Sequence, residues 1–236
     1  MILNIYLTPF SEIFKENDSD IENSPQALST LGFLYSENIY SEEENCEQKS
    51  FNYHQKAADL GNACSINQLG SFYFNGNEKL GITRDLNKAF EFYNKGSKLK
   101  DKESILNLAL VYFKKDFDDF NIELGIKYLT ESADMGQEKA QLNLGLIYFD
   151  SSIVPNDINK ALHYLTLAAD NGNPGAMNQL GIIYVSGKSV PKDVAKGINY
   201  YILSANKKEP SAQYNLGVLY YQGKEIQKDT NEALKY

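Results

Sequence analysis

The sequence predicts an all-α fold, a stack of about six helix–turn–helix units, and three observations carry that prediction. A leucine–glycine–x–x–tyrosine signature returns at Leu31-Gly32…Tyr35, Leu69-Gly70…Tyr73, Leu144-Gly145…Tyr148, Leu180-Gly181…Tyr184 and Leu216-Gly217…Tyr220; in a further copy, Leu108-Ala109…Tyr112, alanine holds the glycine slot. The leucines stand 38, 39, 36, 36 and 36 residues apart, and a self-similar period of about 20–50 residues marks a solenoid or an array. After five of these copies comes an Asp or Asn followed four residues later by a small residue: Asp85 and Ala89, Asn121 and Gly125, Asp157 and Ala161, Asp193 and Gly197, Asp229 and Ala233.

Each unit reads as helix A, loop, helix B and turn. Helix A carries the first signature and in the fifth unit runs from about Pro174 to Ser186. Ala140, Leu144 and Tyr148 lie four apart and share one face. The loops hold turn-forming residues, as in Gly187 to Pro191, Ser151 to Pro155 and Gly76-Asn77. The Asp or Asn is an N-cap, its side-chain oxygen accepting from an orphan N–H of helix B, which in the fifth unit runs from about Val194 to Asn206. Aromatic residues follow (Phe92-Tyr93, Tyr128, Tyr164, Tyr200-Tyr201), then small ones (Ala57-Ala58, Ser132-Ala133, Ala168-Ala169, Ser204-Ala205). Gly61, Gly136 and Gly172 are placed to close helix B in the left-handed conformation. The expected units are 25–62, 63–100, 101–137, 138–173, 174–209 and an incomplete 210–236, preceded by a divergent segment, 1–24.

A glycine inside a helix costs about 1 kcal/mol against alanine, so its recurrence beside the leucine asks for a packing reason. Close approach of helix B supplies one, and the small residue early in that helix (Ala89, Gly125, Ala161, Gly197 or Ala233) is the expected counterpart. No single hairpin can bury its apolar face, so stability passes from neighbour to neighbour.

The string Ala-x-x-x-Leu-Gly-x-x-Tyr-x-x-Gly, the Asp-x-x-Lys-Ala start and the aromatic helix ending Ala-Ala-x-x-Gly resemble the Sel-one-like repeat, most closely from Ala176 to Gly187 and on to Asp193. The resemblance covers roughly Pro25 to Tyr236. It implies a right-handed α/α superhelix with a concave inner surface, and adaptor or scaffold roles in signalling, membrane-protein quality control, cell-wall synthesis or bacterium–host contact. Some relatives carry a kinase or other domain beside the repeats. A cysteine-rich branch with a proposed β-lactamase activity has one disulfide per repeat; this chain lacks those paired cysteines. The tetratricopeptide repeat is the neighbouring alternative, with a shorter period of about 34 residues. Departures from the pattern are the acidic first loop at Glu42–Glu44, Ser50 in the alanine slot, Phe117-Asp-Asp-Phe120 in place of a glycine loop, and Lys100 and Lys208 where a closing glycine is expected.

Composition narrows the function. A net charge of −8 in 236 residues offers no basic surplus to displace counterions from a nucleic acid. Two cysteines, Cys46 and Cys64, cannot build a disulfide framework or a zinc box. The first ten residues lack a basic start and are interrupted by Asn4 and Thr8, so neither a signal peptide nor a membrane span is expected, and a cytoplasmic location follows. Residues 11–16 read as a short capping helix, and the stop at Tyr236, inside the sixth helix B, suggests a fragment or end-to-end association through an uncapped repeat.

Chemistry-bearing residues are sparse, and the chain is not expected to be an enzyme or to hold a cofactor or metal. His54 and His163 both fall on B helices, outside any nucleophile motif. Asp170 to Gly175 faintly resembles a calcium loop but lacks its closing glutamate. Asp118, Asp119 and Glu42–Glu44 read as solvated loop charges. Two series remain as candidate partner-binding residues. The residue before each helix A leucine is an amide in five units, Gln68, Asn107, Asn143, Gln179 and Asn215, with Thr30 in the first. Such a ladder suits a partner's extended backbone, or else a bond that fixes repeat geometry. The aromatic after the repeat tyrosine, Phe74, Phe113, Phe149 and Tyr221, forms either an interaction stripe or core. The function expected is a protein or peptide scaffold, with a regulatory segment of a larger signalling enzyme as the alternative and a hydrolase of the cysteine-rich kind behind it.

Overall fold

The computed structural model describes residues 22–37, 45–150 and 152–236. The expected capping helix at 11–16, the acidic loop Glu42–Glu44 and Ser151 lie outside the described residues. Among those described there are twelve α-helices, one 3-10 turn at Glu78–Leu80 and no strand beyond a single bridge between Asn77 and Ile82. Helices A and B alternate. The first five are α1 (Pro25–Ser36), α2 (Cys46–Asp59), α3 (Ala63–Asn75), α4 (Leu86–Lys98) and α5 (Lys102–Tyr112). Then come α6 (Ile122–Asp134), α7 (Glu138–Phe149), α8 (Ile158–Asp170), α9 (Pro174–Ser186), α10 (Val194–Asn206), α11 (Pro210–Gln222) and the short α12 (Thr230–Ala233). The helices expected at Pro174–Ser186 and Val194–Asn206 occupy those residues. The chain forms two compact units, 1–121 and 122–236, the division falling in the loop between α5 and α6 of the third hairpin.

The caps explain where helices start. Asp85 accepts from the Lys88 amide at 3.0 Å, Asp193 from that of Lys196 at 2.9 Å, and Asp157 and Asp229 each from two amides of the following turn. Helix A is capped in the same way by Asn62, Asp101 and Asn173. Helix B ends through a left-handed residue. Gly61, Gly136 and Gly172 serve in three units, while Lys100 (φ 57°) and Lys208 (φ 63°) adopt the same conformation in the other two. The turn geometry is therefore kept where glycine is missing, at a cost of about 1–2 kcal/mol per lysine.

Burial runs along the repeat. Leu69, Leu108, Leu144, Leu180 and Leu216 are wholly buried, as are Ala140, Ala176 and Ala212 four residues before three of them. The repeat glycine faces a different residue from the one expected. A Cβ on Gly70 would lie 2.6 Å from the Tyr93 ring, on Gly145 2.6 Å from Leu165, on Gly181 2.5 Å from the Tyr201 ring and on Gly32 2.7 Å from the His54 ring. The counterpart is thus the large side chain one turn beyond the small residue of helix B. The small residue sits instead against the glycine's carbonyl: Gly197 approaches the Gly181 oxygen, and Ser50 donates its hydroxyl to the Gly32 oxygen at 2.8 Å. The reason is the stagger of two antiparallel helices. The large residue spans the interaxial gap and needs bare backbone opposite its face.

A second contact ties A to B. The repeat tyrosine stacks on a helix B aromatic in four units, Tyr35 on Tyr53, Tyr73 on Phe92, Tyr148 on Tyr164 and Tyr184 on Tyr200, and in the sixth Tyr220 stacks on Tyr236, just past the end of α12. Interplanar angles of 4° to 10° hold throughout. The third repeat differs. Phe117, from the loop that replaced the glycine loop, is buried and packs with Phe90 and Tyr112.

With the Tyr201 ring 2.5 Å from where a Cβ on Gly181 would lie, a methyl group there has no room. Gly181→Ala will therefore lower stability by about 1–3 kcal/mol. Urea unfolding midpoints of the native chain and the variant measure the loss.

Candidate functional site

Within each unit, A helices of successive hairpins approach one another, α1 with α3 and α3 with α5 in the first and α7 with α9 in the second. Both candidate series lie on them. All five amides are half-buried. Asn107 donates its side-chain N–H to the Asn67 side-chain oxygen at 2.8 Å, and Asn215 donates to Asn178 at 2.9 Å. Each bond joins one helix A to the next. The acceptors are the asparagines two residues before the preceding leucine, a position that sequence reasoning passed over. Their signal was present: an amide stands there only in the second and fifth repeats. Before Gln179 the same position is Leu142, which has no acceptor, and before Gln68 it is the buried Ser29. Gln68, Asn143 and Gln179 make no side-chain hydrogen bond to another described residue.

The aromatic series divides. Phe74, Phe113 and Phe149 are half-buried. Phe74 leans on Tyr93 with Lys114 over its other face, and Phe149 joins the core around Leu165 and Leu180. Tyr221 is 62% exposed, with Lys228 over its ring. Tyr221 also borders an apolar groove of about 400 Å³ between α11 and α12, together with Tyr214, Val218 and Leu234. A smaller cavity beside it is lined by Val185, Tyr201 and Asn215 and shares Val218 and Gln222.

The lysine of Asp-x-x-Lys has a partner that its sequence position did not announce. Lys88 lies over the Tyr73 ring, Lys160 over Tyr148 and Lys196 over Tyr184, each on a repeat tyrosine that also stacks on helix B. Lys196 also donates to the Tyr184 hydroxyl at 2.9 Å, which raises its pKa. These are mostly exposed contacts, each worth about 0.5–1 kcal/mol. Between neighbouring repeats, Arg84 pairs with Asp116, Asn87 donates to Asp118, and Lys192 pairs with Glu225.

The remaining reactive groups are dispersed. Burial pushes the Tyr93 hydroxyl up to about 12, and it lies 3.2 Å from Ser71. His54 is fully buried with its Nδ1 3.0 Å from the Ser65 hydroxyl, whereas His163 is exposed on α8. Cys46 is buried and Cys64 exposed. Among the described residues no cluster of His, Cys, Asp or Glu could hold a metal ion, and no helix is long and apolar enough to cross a membrane.

Fold and face together define a helical-repeat protein, an α/α solenoid of A–B hairpins. Six segments, 26–62, 65–101, 103–137, 138–173, 174–208 and 210–236, match the Sel1 repeat, and the chain belongs to that family. A Sel1 repeat protein from Oxalobacter formigenes has the same fold, with a TM-score of 0.80 over 93% of this chain and 88% of its own at 22% identity. A protective antigen of uropathogenic Escherichia coli with an SLR fold aligns with a TM-score of 0.68 at 27% identity, over 92% of this chain and 46% of its own. The chain is also 31% identical to the Drosophila melanogaster cytochrome c oxidase assembly factor 7 homolog over 111 residues, which is 46% of this chain and 40% of that relative.

The Asn178–Asn215 bond joins two repeats. Asn178→Ala, Asn215→Ala and the double variant will show a coupling of about 1 kcal/mol in a thermodynamic cycle. Chemical unfolding of the four proteins gives that number directly.

Proposed function

We propose that the chain is a non-catalytic scaffold that holds a protein partner along the helix A side of its hairpins. What supports this reading most directly is the pair of half-buried amides without an internal bond in the second unit, Asn143 and Gln179, standing at one register of their helices; Gln68 holds the same register within the first unit. Each offers two donors and an acceptor. A partner lying extended across the A helices brings unmatched backbone N–H and C=O groups that such amides complete. Apolar contact is at hand beside them: Leu146, two residues beyond the fourth repeat's leucine, is 39% exposed, and Tyr221 presents its ring. Asn107 and Asn215 take the other role open to the series and hold neighbouring repeats in register.

The Drosophila relative is named as an assembly factor, and a scaffold that gathers proteins fits that description; the likeness covers fewer than half of the residues of either chain. Partner identity comes from affinity capture on the whole chain with mass spectrometry, followed by calorimetric titration of the partner found. Asn143→Ala with Gln179→Ala will weaken that binding about tenfold without moving the unfolding midpoint. Unchanged affinity in this variant, together with a mapped contact on the B helices, would overturn the reading.

A further inference from the structure

We propose that His54 makes the first hairpin acid-releasable, with α1 detaching from α2 in mildly acidic solution while the hairpins of the second unit stay folded. The slot it fills is the one opposite the repeat glycine. Other repeats put Tyr93, Leu165 or Tyr201 there, none of which gains charge in acid; the first puts an imidazole flat against Gly32. The ring is 0% exposed and meets the Phe33 ring edge-on at 4.7 Å. Its Nδ1 shares a hydrogen bond with the buried Ser65 hydroxyl on α3, and its Nε2 is buried with no hydrogen-bond partner.

A neutral imidazole tolerates this, because Ser65 can donate to Nδ1 or accept from it, according to tautomer. An imidazolium cannot. It carries a proton on both nitrogens, and the one on Nε2 has no acceptor. Among the described residues it also has no counter-charge beside it. The helices α1 and α3 packed against α2 contain no Asp, Glu, Lys or Arg; α1 contributes Tyr35 as its one titratable group, and α3 contributes Cys64 and Tyr73. The 3-10 turn, also against α2, carries Glu78 and Lys79, and Lys95 of α4 donates to the Ala58 carbonyl of α2. The charges of α2 itself are Glu47, Lys49, Lys56 and Asp59, and Glu47 is engaged by Lys79 of the 3-10 turn. Burial alone holds the His54 pKa down, to about 4 against an ordinary 6.5. The folded hairpin therefore resists protonation that the opened hairpin accepts. Its stability is intact above pH 6.5, falls as pH drops from 6.5 towards 4, and loses nothing further from this group below that. Because a repeat array is stabilised between nearest neighbours, the loss stays local. The second histidine, His163, is exposed on α8 of the second unit.

The other repeats supply the control. His54→Leu with Ser65→Ala installs the pair found further along the chain, Leu165 of the fourth repeat and Ala176, four before the leucine of the fifth. Hydrogen–deuterium exchange with mass detection, corrected for the intrinsic rate at each pH, reads both proteins at pH 7 and pH 5. Peptides from α1 and α2 of the native chain will open about twentyfold more at pH 5, peptides from α9 and α10 will not, and the double variant will show no such increase. Equal opening in the double variant, or no opening in the native chain, overturns the proposal. NMR titration of His54 in the native chain reads the same point without a variant. A resonance that titrates near its ordinary value while the hairpin stays protected also overturns it.

Discussion

Four of the hairpins in this chain, those built on Gly32, Gly70, Gly145 and Gly181, rest on one steric agreement: a large helix B side chain occupies the space that a helix A residue leaves by having no Cβ. The contact is repulsive at its limit. At 2.5 to 2.8 Å from the added carbon, the ring or branched side chain leaves no room for even a methyl group. It therefore sets the separation of the two helices, and that separation places the tyrosine stack one turn further along and the Lys contacts on its outer face. The leucine beside the glycine supplies the apolar burial, about 1.5–3 kcal/mol for each such side chain; the glycine decides how close the partner helix may come.

The repeats differ in how they complete this arrangement. The first uses His54, and Ser50 binds the carbonyl of its glycine. The third anchors its loop with Phe117, so an aromatic side chain takes over what turn-forming residues do elsewhere. The second and fifth force lysines into the left-handed turn. Each departure leaves the path of the backbone intact and changes its local cost. A repeat array accommodates such costs because each hairpin depends chiefly on its neighbours.

The same logic sorts the helix A side chains. Amides at one register do different work according to what the preceding helix offers them. Asn107 and Asn215 meet an asparagine acceptor and become structural, while Gln179 stands opposite a repeat that has Leu142 at that position and keeps its bonding capacity. Three of the four aromatics are half-buried, Phe74 against Tyr93 and Phe149 beside the core, while Tyr221 faces solvent. A face can thus be uniform in sequence and heterogeneous in availability.

Helix type, order and number could be read directly from the residues, because the 36-residue period, the Asp caps and the fourfold spacing of apolar positions are local signals that depend only on the chain's own geometry. The bounds of α9 and α10 follow from Pro174, Asp193 and their flanking turns alone. What lies opposite Gly181 could not be read in that way. Choosing Tyr201 over Gly197 requires the stagger between two antiparallel helices, which is set by packing across some twenty residues of sequence. Nor could the amide series be divided into bonded and unbonded members, since a hydrogen bond between repeats depends on the distance between residues 37 to 40 apart in the chain. Local sequence specifies the hairpin; only the packed neighbours decide which of its polar groups are already spoken for.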